Sequence, residues 1–522
     1  MNVMNHTPVR LQRILADLPL PLSLFILTTI IAGSFSMIGV DPHHDGIMFV
    51  PALNVARGAI LFRDTFTQYG ALTTFLQSWA LNLFGHYLIT IRLLTALCYG
   101  FIAVLLYGIG TKLMPRPLVV LTIIFWILTA PYYLVTFLPW ASVYALLFQL
   151  AGTYALIRHS DSGHDSLLFW AGAATACTFL TRQPGGVFMA MAIYAYFFIA
   201  AVTGRTSLRL LPKKLFLFTS GVLIPLACFG IWLAIVGAQR DFWLQSIQFA
   251  YNFGTNRPHT ILPALFPTGP DYLWLFFPIA SIFVGILYLV ELCKTQSRTA
   301  HMVLITTIVG LSAWLQYYPV PDNRHFYWGA TGMYLIGTIA IYEIFRRLLF
   351  FIPKHRMHIA IGISGVILIG LCYSQVSVRI MSGLDKLRQS YVTVTKPEIL
   401  RGMLLSKDEA AFYTSVADNM DAYFKENPRG NVVNLSRDAL YMAVDPRIHS
   451  TNPLYINWAE LYVIYPNFPY DMRAYVAQNH PLAIGTDAII PEGNYCPMPG
   501  PPAINEIVLY KPASPSLGGP CK

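Results

Sequence analysis

The chain has 522 residues, of which 55% are hydrophobic, 14% aromatic and only 11% charged, and its mean hydropathy is +0.53. A soluble domain carries about a quarter charged residues, so this composition excludes one and describes a polytopic membrane protein. The formal net charge of +10 fits lysines and arginines gathered in cytoplasmic loops, and no compact basic stripe with interleaved aromatics supports nucleic-acid binding.

Arg10 and Arg13 precede an apolar run over 18–40 that is too long for a signal-peptide core, and an uncleaved signal anchor is expected. With about 20 apolar residues needed per crossing, about eleven segments qualify: 18–40, 88–111, 117–137, 140–157, 167–181, 184–203, 214–237, 271–291, 301–319, 327–346 and 357–375. Arg10 and Arg13, Lys112 and Arg116, Arg158, 205–214, Lys294 and Arg298, and 346–356 fall in alternate connections, which the positive-inside rule sends to the cytoplasm. The first loop 41–87, the turns near Pro139 and Arg182, the connections 238–270 and 320–326, and the tail then face outward. TRQPGG, from Thr181 to Gly186, reads either as a tight turn or as a break in one long helix.

In the first outer loop Phe49, Leu53 and Ala56 recur at helical spacing, as do Leu72, Leu76, Trp79 and Leu83. They predict two short amphipathic helices, lying on the membrane or packed on the bundle. The tail 376–522 is rich in Asn, Asp, Pro and Arg and reads as a small α/β domain after a transmembrane domain over 1–375. A strand is expected over 431–435, followed by a helix, with further strands in HPLAIGTDAII and EIVLYKP. Five cysteines lie in apolar segments as small hydrophobes, whereas Cys496 and Cys521 lie in the tail, where an oxidising compartment would let them pair.

Chemistry concentrates in DPHHDGIMFVPALNVARGAILFRDTFTQYG, 41–70, with Asp41, Asp45, Asp64, Arg57, Arg63 and two adjacent histidines. Asp45 and Asp41 are candidates for a general base, against a capping role for each. Neighbouring side chains on a helix diverge, so a metal at His43, His44 and Asp45 would need ligands from elsewhere. The guanidinium forks of Arg57 and Arg63 suit a phosphate, or equally lipid headgroups. Two further outer connections are polar: TRQPGG offers Arg182 and Gln183, and YYPVPDNRHFYW offers Asp322, Asn323, Arg324 and His325 among aromatics.

An acid in the first outer loop, then a helix, then GAILFRDTFTQYGAL, then Leu83, Phe84 and Gly85 with Arg92 beyond, resembles the GT-C glycosyltransferases that use polyprenyl-phosphate sugars. These include protein O-mannosyltransferases and the aminoarabinose transferases of lipid A. The resemblance covers 1–375. It implies an α-helical polytopic fold with juxtamembrane helices over a cavity, and an inverting transfer from a polyprenyl-phosphate donor to a cell-envelope acceptor. That acceptor is lipid A or core, O-antigen, another glycan or a protein. It also implies a bacterial inner membrane location with the site and tail in the periplasm. Carried onto this chain, the acid matches Asp45, with Asp41 next. Phosphate contacts are expected from Arg182, Arg324, Arg63, Arg57 and Tyr69, and substrate contacts from His44, Gln68, Gln183, His325 and Asp322. The aminoarabinose transferases carry Glu-Lys-Pro where this chain has Gln68, Tyr69 and Gly70, so their lysine is missing here. No cofactor is expected, a divalent cation being the one addition left open. The alternative functions are a flippase of lipid-linked sugars and a noncatalytic envelope scaffold; no clear internal repeat of the kind transporters show is present.

Overall fold

The computed structural model describes residues 19–204, 207–255, 272–295, 297–317, 320, 322–351, 355–448, 464, 474–476, 478–485, 495–498 and 507–512. The longer helices among them are α1 (Pro19–Ser36), α2 (His44–Ala56), α3 (Ala71–Phe84), α4 (Leu88–Leu113), α5 (Arg116–Leu128), α6 (Ala141–Ser162), α7 (Ser166–Thr181), α8 (Gln183–Val202), α9 (Leu211–Val236), α10 (Tyr272–Thr295), α11 (Arg298–Trp314), α12 (Asn323–Leu348), α13 (Arg356–Arg388) and α14 (Lys407–Glu426). Each of the expected apolar segments contains a helix among the described residues. Among the described residues seven helices are long and apolar enough to cross a membrane: α1, α4, Arg116–Tyr133, α8, α9, α10 and α13. Helices α7 and α11 fall short in length, at 16 and 17 residues, and α6 and α12 in apolarity.

The weak hydropathy of α12 has a structural cause. It is buried continuously from Phe326 to Glu343, so it faces protein and uses hydroxyls as links between helices. Thr331 accepts from Trp126 Nε1 at 3.0 Å, Thr338 meets Thr122 at 2.8 Å and Tyr334 meets Thr129 at 2.6 Å. Around it α7 packs on α6 and α9, α1 on α4, and α10 on α11 and α12.

Three boundaries differ from expectation. The segment 117–137 stops being an α-helix at Leu128, and Pro131–Tyr133 begins an irregular stretch that leads to α6 at Ala141. The last apolar helix continues to Arg388, past the expected end near 375. Between Thr181 and Gln183 only Arg182 leaves the helical conformation, at φ −148° and ψ 102°, so TRQPGG is a tight junction between two helices. The expected outer connection 238–270 is described only as far as Thr255.

The two loop helices take opposite answers to where their apolar faces go. Every residue of α2 from Asp45 to Leu53 is buried. In α3 the arrangement is inverted: Thr73, Thr74, Gln77 and Ser78 are buried, while Trp79, Leu83 and Phe84 are 61%, 75% and 74% exposed. A helix with hydroxyls and an amide inward and large apolar groups outward suits a lipid interface around a polar interior.

In the tail, β1 (Val392–Thr393) pairs antiparallel with β2 (Leu404–Leu405), and Leu404 also exchanges backbone hydrogen bonds with Met37 and Gly39 beyond α1. A four-stranded mixed sheet runs in the order β3 (Val432–Asn434), β4 (Leu482–Gly485), β6 (Val508–Pro512), β5 (Tyr495–Pro497), with β3 parallel to β4 and the other pairs antiparallel. The helix expected after β3 is only a 3₁₀ turn, Ala439–Ala443. That turn abuts α2, where a Cβ on Gly46 would sit 2.2 Å from Leu440 N. Only glycine permits so close an approach, and Leu440 N donates to Pro42 O at 3.1 Å while His43 Nδ1 donates to Arg437 O at 2.7 Å. Cys496 is disulfide-bonded, the five cysteines of the apolar helices are free, and Cys521 lies outside the described residues.

Candidate active site

The two acids of the first loop, four residues apart, have different environments. Asp45, in the first turn of α2, has no exposed surface and is bound by Arg92 of α4, with Nε at 3.1 Å from Oδ1 and Nη2 at 2.5 Å from Oδ2. Arg92 Nη1 donates to the carbonyls of Ser36 and Gly39, at 3.0 and 2.9 Å, and so ties the end of α1 to the start of α2. The Asp45 carboxylate also accepts from Asp41 N at 2.8 Å. This ion pair fastens backbone segments and presents nothing to a ligand.

Asp41, by contrast, lines an open cleft of about 580 Å³ together with His44, residues of the 131–136 stretch, Asp322, Asn323, Arg324 and Lys386. Its carboxylate accepts from His44 N at 2.9 Å and bonds His44 Nδ1 at 2.7 Å. Burial pushes the carboxyl up, but the hydrogen bonds and field of His44 prevail and hold it down at about 2.

Across the cleft the same local device recurs. Asp322 caps α12, accepting from Arg324 N and His325 N at 2.9 Å each, and bonds His325 Nδ1 at 2.9 Å. Both acids therefore hold the histidine three residues on. Arg324 reaches Asp322 only at 3.4 Å, which leaves guanidinium donors for the cleft. Lys386, in the last turn of α13, donates to the carbonyls of Val135 at 2.8 Å and Tyr132 at 3.3 Å, and so braces the cleft wall it helps to form.

A second group adjoins the first through aromatic rings. Trp140 lies 5.2 Å from both the His44 and Tyr69 rings, centroid to centroid. Tyr69 comes close to Arg182 because Gly70 N donates to Thr181 O at 3.2 Å, and a Cβ on Gly70 would lie 2.1 Å from Leu180 O. Burial outweighs the pull of Arg182 and Arg324 and pushes the Tyr69 phenol up to about 12, so it is a hydroxyl donor at neutral pH. Arg182 donates to Gln316 O at 2.8 Å and to Ser142 Oγ.

Of the expected site residues, Asp41, His44, Asp322 and Arg324 thus line one cleft, with His325 bonded to Asp322, and Tyr69 and Arg182 stand beside them. Gln68 is half-buried next to Tyr69, and Gln183 is buried at the start of α8. Arg63 and Arg57 do not line the cleft: Arg63 pairs with Asp64 at 2.9 Å and reaches Val236 O, and Arg57 ends α2 in the field of Asp445. Sequence reasoning missed Lys386 and Trp140. The signal for Lys386 was a lysine just beyond the last apolar run, hidden because the helix outlasts its apolar stretch. Among the described residues no three His, Cys, Asp or Glu side chains gather in a way that could hold a metal.

No known family profile and no curated sequence matches the chain. Its architecture does match solved structures. ArnT from Cupriavidus metallidurans bound to undecaprenyl phosphate aligns with a TM-score of 0.56 at 11% identity, over 99% of this chain and 100% of that one. The apo state of that protein aligns at 0.52 and 14%, over 96% and 99%. The archaeal oligosaccharyltransferase AglB from Archaeoglobus fulgidus, in complex with an inhibitory peptide and a dolichol-phosphate, aligns at 0.51 and 12%, over 89% and 69%. The chain has the GT-C fold. The resemblance seen in the first loop thus agrees with the whole architecture, and the chain is a multi-pass membrane protein. Near-complete coverage of ArnT in both directions includes the tail, so the GT-C likeness extends past the expected limit at 375.

Proposed function

We propose that the protein is an inverting membrane glycosyltransferase that moves a sugar from a polyprenyl-phosphate donor to a hydroxyl of a cell-envelope acceptor, on the periplasmic side of the bacterial inner membrane. The observation that carries this reading is the cleft itself, which sets a carboxylate, Asp41, in one space with two cations, Arg324 and Lys386, on a GT-C fold.

In the step envisaged, the acceptor oxygen attacks the anomeric carbon and forms the new glycosidic bond while the bond from that carbon to the phosphate oxygen breaks. The bonding pair leaves with the polyprenyl phosphate, whose growing charge is met by Arg324 and Lys386. Fixed cations at developing charge are worth most where water is thinned out. The acceptor proton passes to Asp41. A carboxylate held at about 2 is a weak base towards a resting alcohol, but the hydroxyl becomes strongly acidic as its oxygen bonds to carbon, and late proton transfer suffices. His44 fixes the orientation of the carboxylate. Asp45, with no exposed surface, serves as a structural acid in this reading, and Arg63 and Arg57 lie outside the donor site.

Purified protein in nanodiscs, given synthetic undecaprenyl-phosphate sugars and envelope lipid or glycan acceptors, is expected to release undecaprenyl phosphate with formation of an inverted glycosidic bond. Movement of the lipid-linked sugar across vesicles with no new glycosidic bond would replace the reading by a flippase.

A further inference from the structure

Deeper than the cleft, a set of buried polar atoms has no protein partner. Gln149 of α6, Gln183 of α8 and Gln316 beyond α11 are 1%, 6% and 2% exposed. Among the described residues Gln149 Nε2, Gln183 Nε2 and Gln316 Oε1 have no hydrogen-bond partner, and neither does Trp140 Nε1. These groups converge on the Arg182 junction. Arg182 holds Ser142 and the Gln316 carbonyl. Gln316 Nε2 comes within 3.5 Å of Gln149 Oε1, and a Cβ on Gly185 would lie 3.4 Å from both Gln149 Nε2 and Gln316 Oε1.

Folded proteins retain few such groups, because each gave up hydration without gaining a bond. Several together point to a ligand that supplies the missing partners. The atoms on offer here are mixed, amide and indole N–H donors beside amide carbonyl acceptors. A phosphate only accepts, and would select donors and positive charge; a hydroxyl both donates and accepts, and matches a mixed neutral set. Arg182, the cation beside them, already spends donors on Ser142 and the Gln316 carbonyl.

We infer that Gln149, Gln183 and Gln316, with Trp140 at the entrance beside Tyr69 and His44, form the subsite that reads the hydroxyls of the donor sugar, while the cleft cations hold its phosphate. The inference rests on the glycosyltransferase reading above and deepens it, by assigning sugar selectivity to neutral amides of the helix bundle. Loss of one such amide leaves a sugar hydroxyl unpaired, and sites built on buried hydrogen bonds discriminate strongly for that reason.

The test uses full-length protein in nanodiscs and two kinds of probe: bare undecaprenyl phosphate, and its synthetic conjugates with glucose, mannose and arabinose. The native protein is expected to bind at least one conjugate more tightly than the bare carrier. Gln149→Met and Gln316→Met, close in volume but unable to pair, are expected to cut that preference by about tenfold, leaving the Kd for the bare carrier unchanged. Their ligand-free unfolding temperature is expected to change little, since the only pairing lost among the described residues is the 3.5 Å contact from Gln316 Nε2 to Gln149 Oε1. Should either fail to fold, Gln149→Asn keeps an amide but withdraws it by one methylene, and gives the same selective loss. An unchanged preference, equal weakening of both probes, or a native protein that prefers no conjugate overturns the inference and marks the amides as merely hydrated. A native protein that binds undecaprenyl phosphate in no form overturns the glycosyltransferase reading itself, and this inference with it.

Discussion

Asp45 and Arg92 form a two-bond ion pair in which neither side chain has any exposed surface, and it is this pair, 47 positions apart in the chain, that fixes where Asp41 stands. Removing one partner of such a pair leaves the other charged and buried, at a cost of about 3–5 kcal/mol. Asp45→Asn and Arg92→Met are therefore expected to lower the unfolding temperature and the yield of monodisperse protein. Reduced turnover in either should follow the folded fraction. An Asp45→Asn protein with native stability and no turnover would return the base role to Asp45.

Asp41→Asn is expected to behave in the opposite way, keeping its unfolding temperature while losing about 10²- to 10⁴-fold in turnover, the usual share of a general base. Single-turnover measurements at saturating donor separate this loss from weaker binding.

The pH dependence follows from the carboxyl at about 2. This folded value lies below the ~3.9 of an unfolded aspartate. The ionised form thus contributes its full stability above about pH 4 and loses it as pH falls through about 2. Turnover from pH 5 to 8 is expected to show no acid limb from Asp41. His44→Asn removes the hydrogen bond and field that hold the group down, so the carboxyl rises towards the ordinary range and the acid limb moves up with it. A profile measured from pH 3 upward and left unaltered by His44→Asn would contradict the pairing.

Arg324→Gln and Lys386→Gln are each expected to weaken binding of bare undecaprenyl phosphate by about 10- to 100-fold, the loss of one charge-assisted hydrogen bond. Arg63→Gln is expected to leave that Kd unchanged, because Arg63 pairs with Asp64 outside the cleft. Titration of the three variants with a fluorescent carrier lipid orders them directly.

The outward apolar face of α3, with Trp79 61% exposed, predicts contact between Trp79 and lipid. Brominated phospholipids are expected to quench more fluorescence in the native protein than in Trp79→Phe. Equal quenching would mean that another protein surface covers this face.

The helical segments were legible because apolar runs need no knowledge of their neighbours, and so were the strands around Val432, Leu482 and Val508. Helix α14 was not read, although Ser406 and Glu409 form a capping box at its start. The expected helix after β3 shrinks to one 3₁₀ turn because Leu440 and Ala439 are held against α2, a contact that local periodicity does not encode. In the site, Asp41, His44, Asp322 and Arg324 stood out as polar residues in outer connections. The ranking of Asp45 above Asp41 followed motif order, whereas the environments of the two acids are set by Arg92 and by the distant walls of the cleft. Lys386 and the buried glutamines carry no local mark, since a lone lysine or amide near an apolar helix gains meaning only from what other helices bring to it.

The hydrogen bond from His43 to the Arg437 carbonyl joins residues 394 positions apart. During synthesis the first loop therefore leaves the ribosome long before its last support exists, and Asp41 acquires its final surroundings only when nearly the whole polypeptide has been made. Truncated or stalled products would hold the first-loop helices without the support that the 3₁₀ turn after β3 gives them.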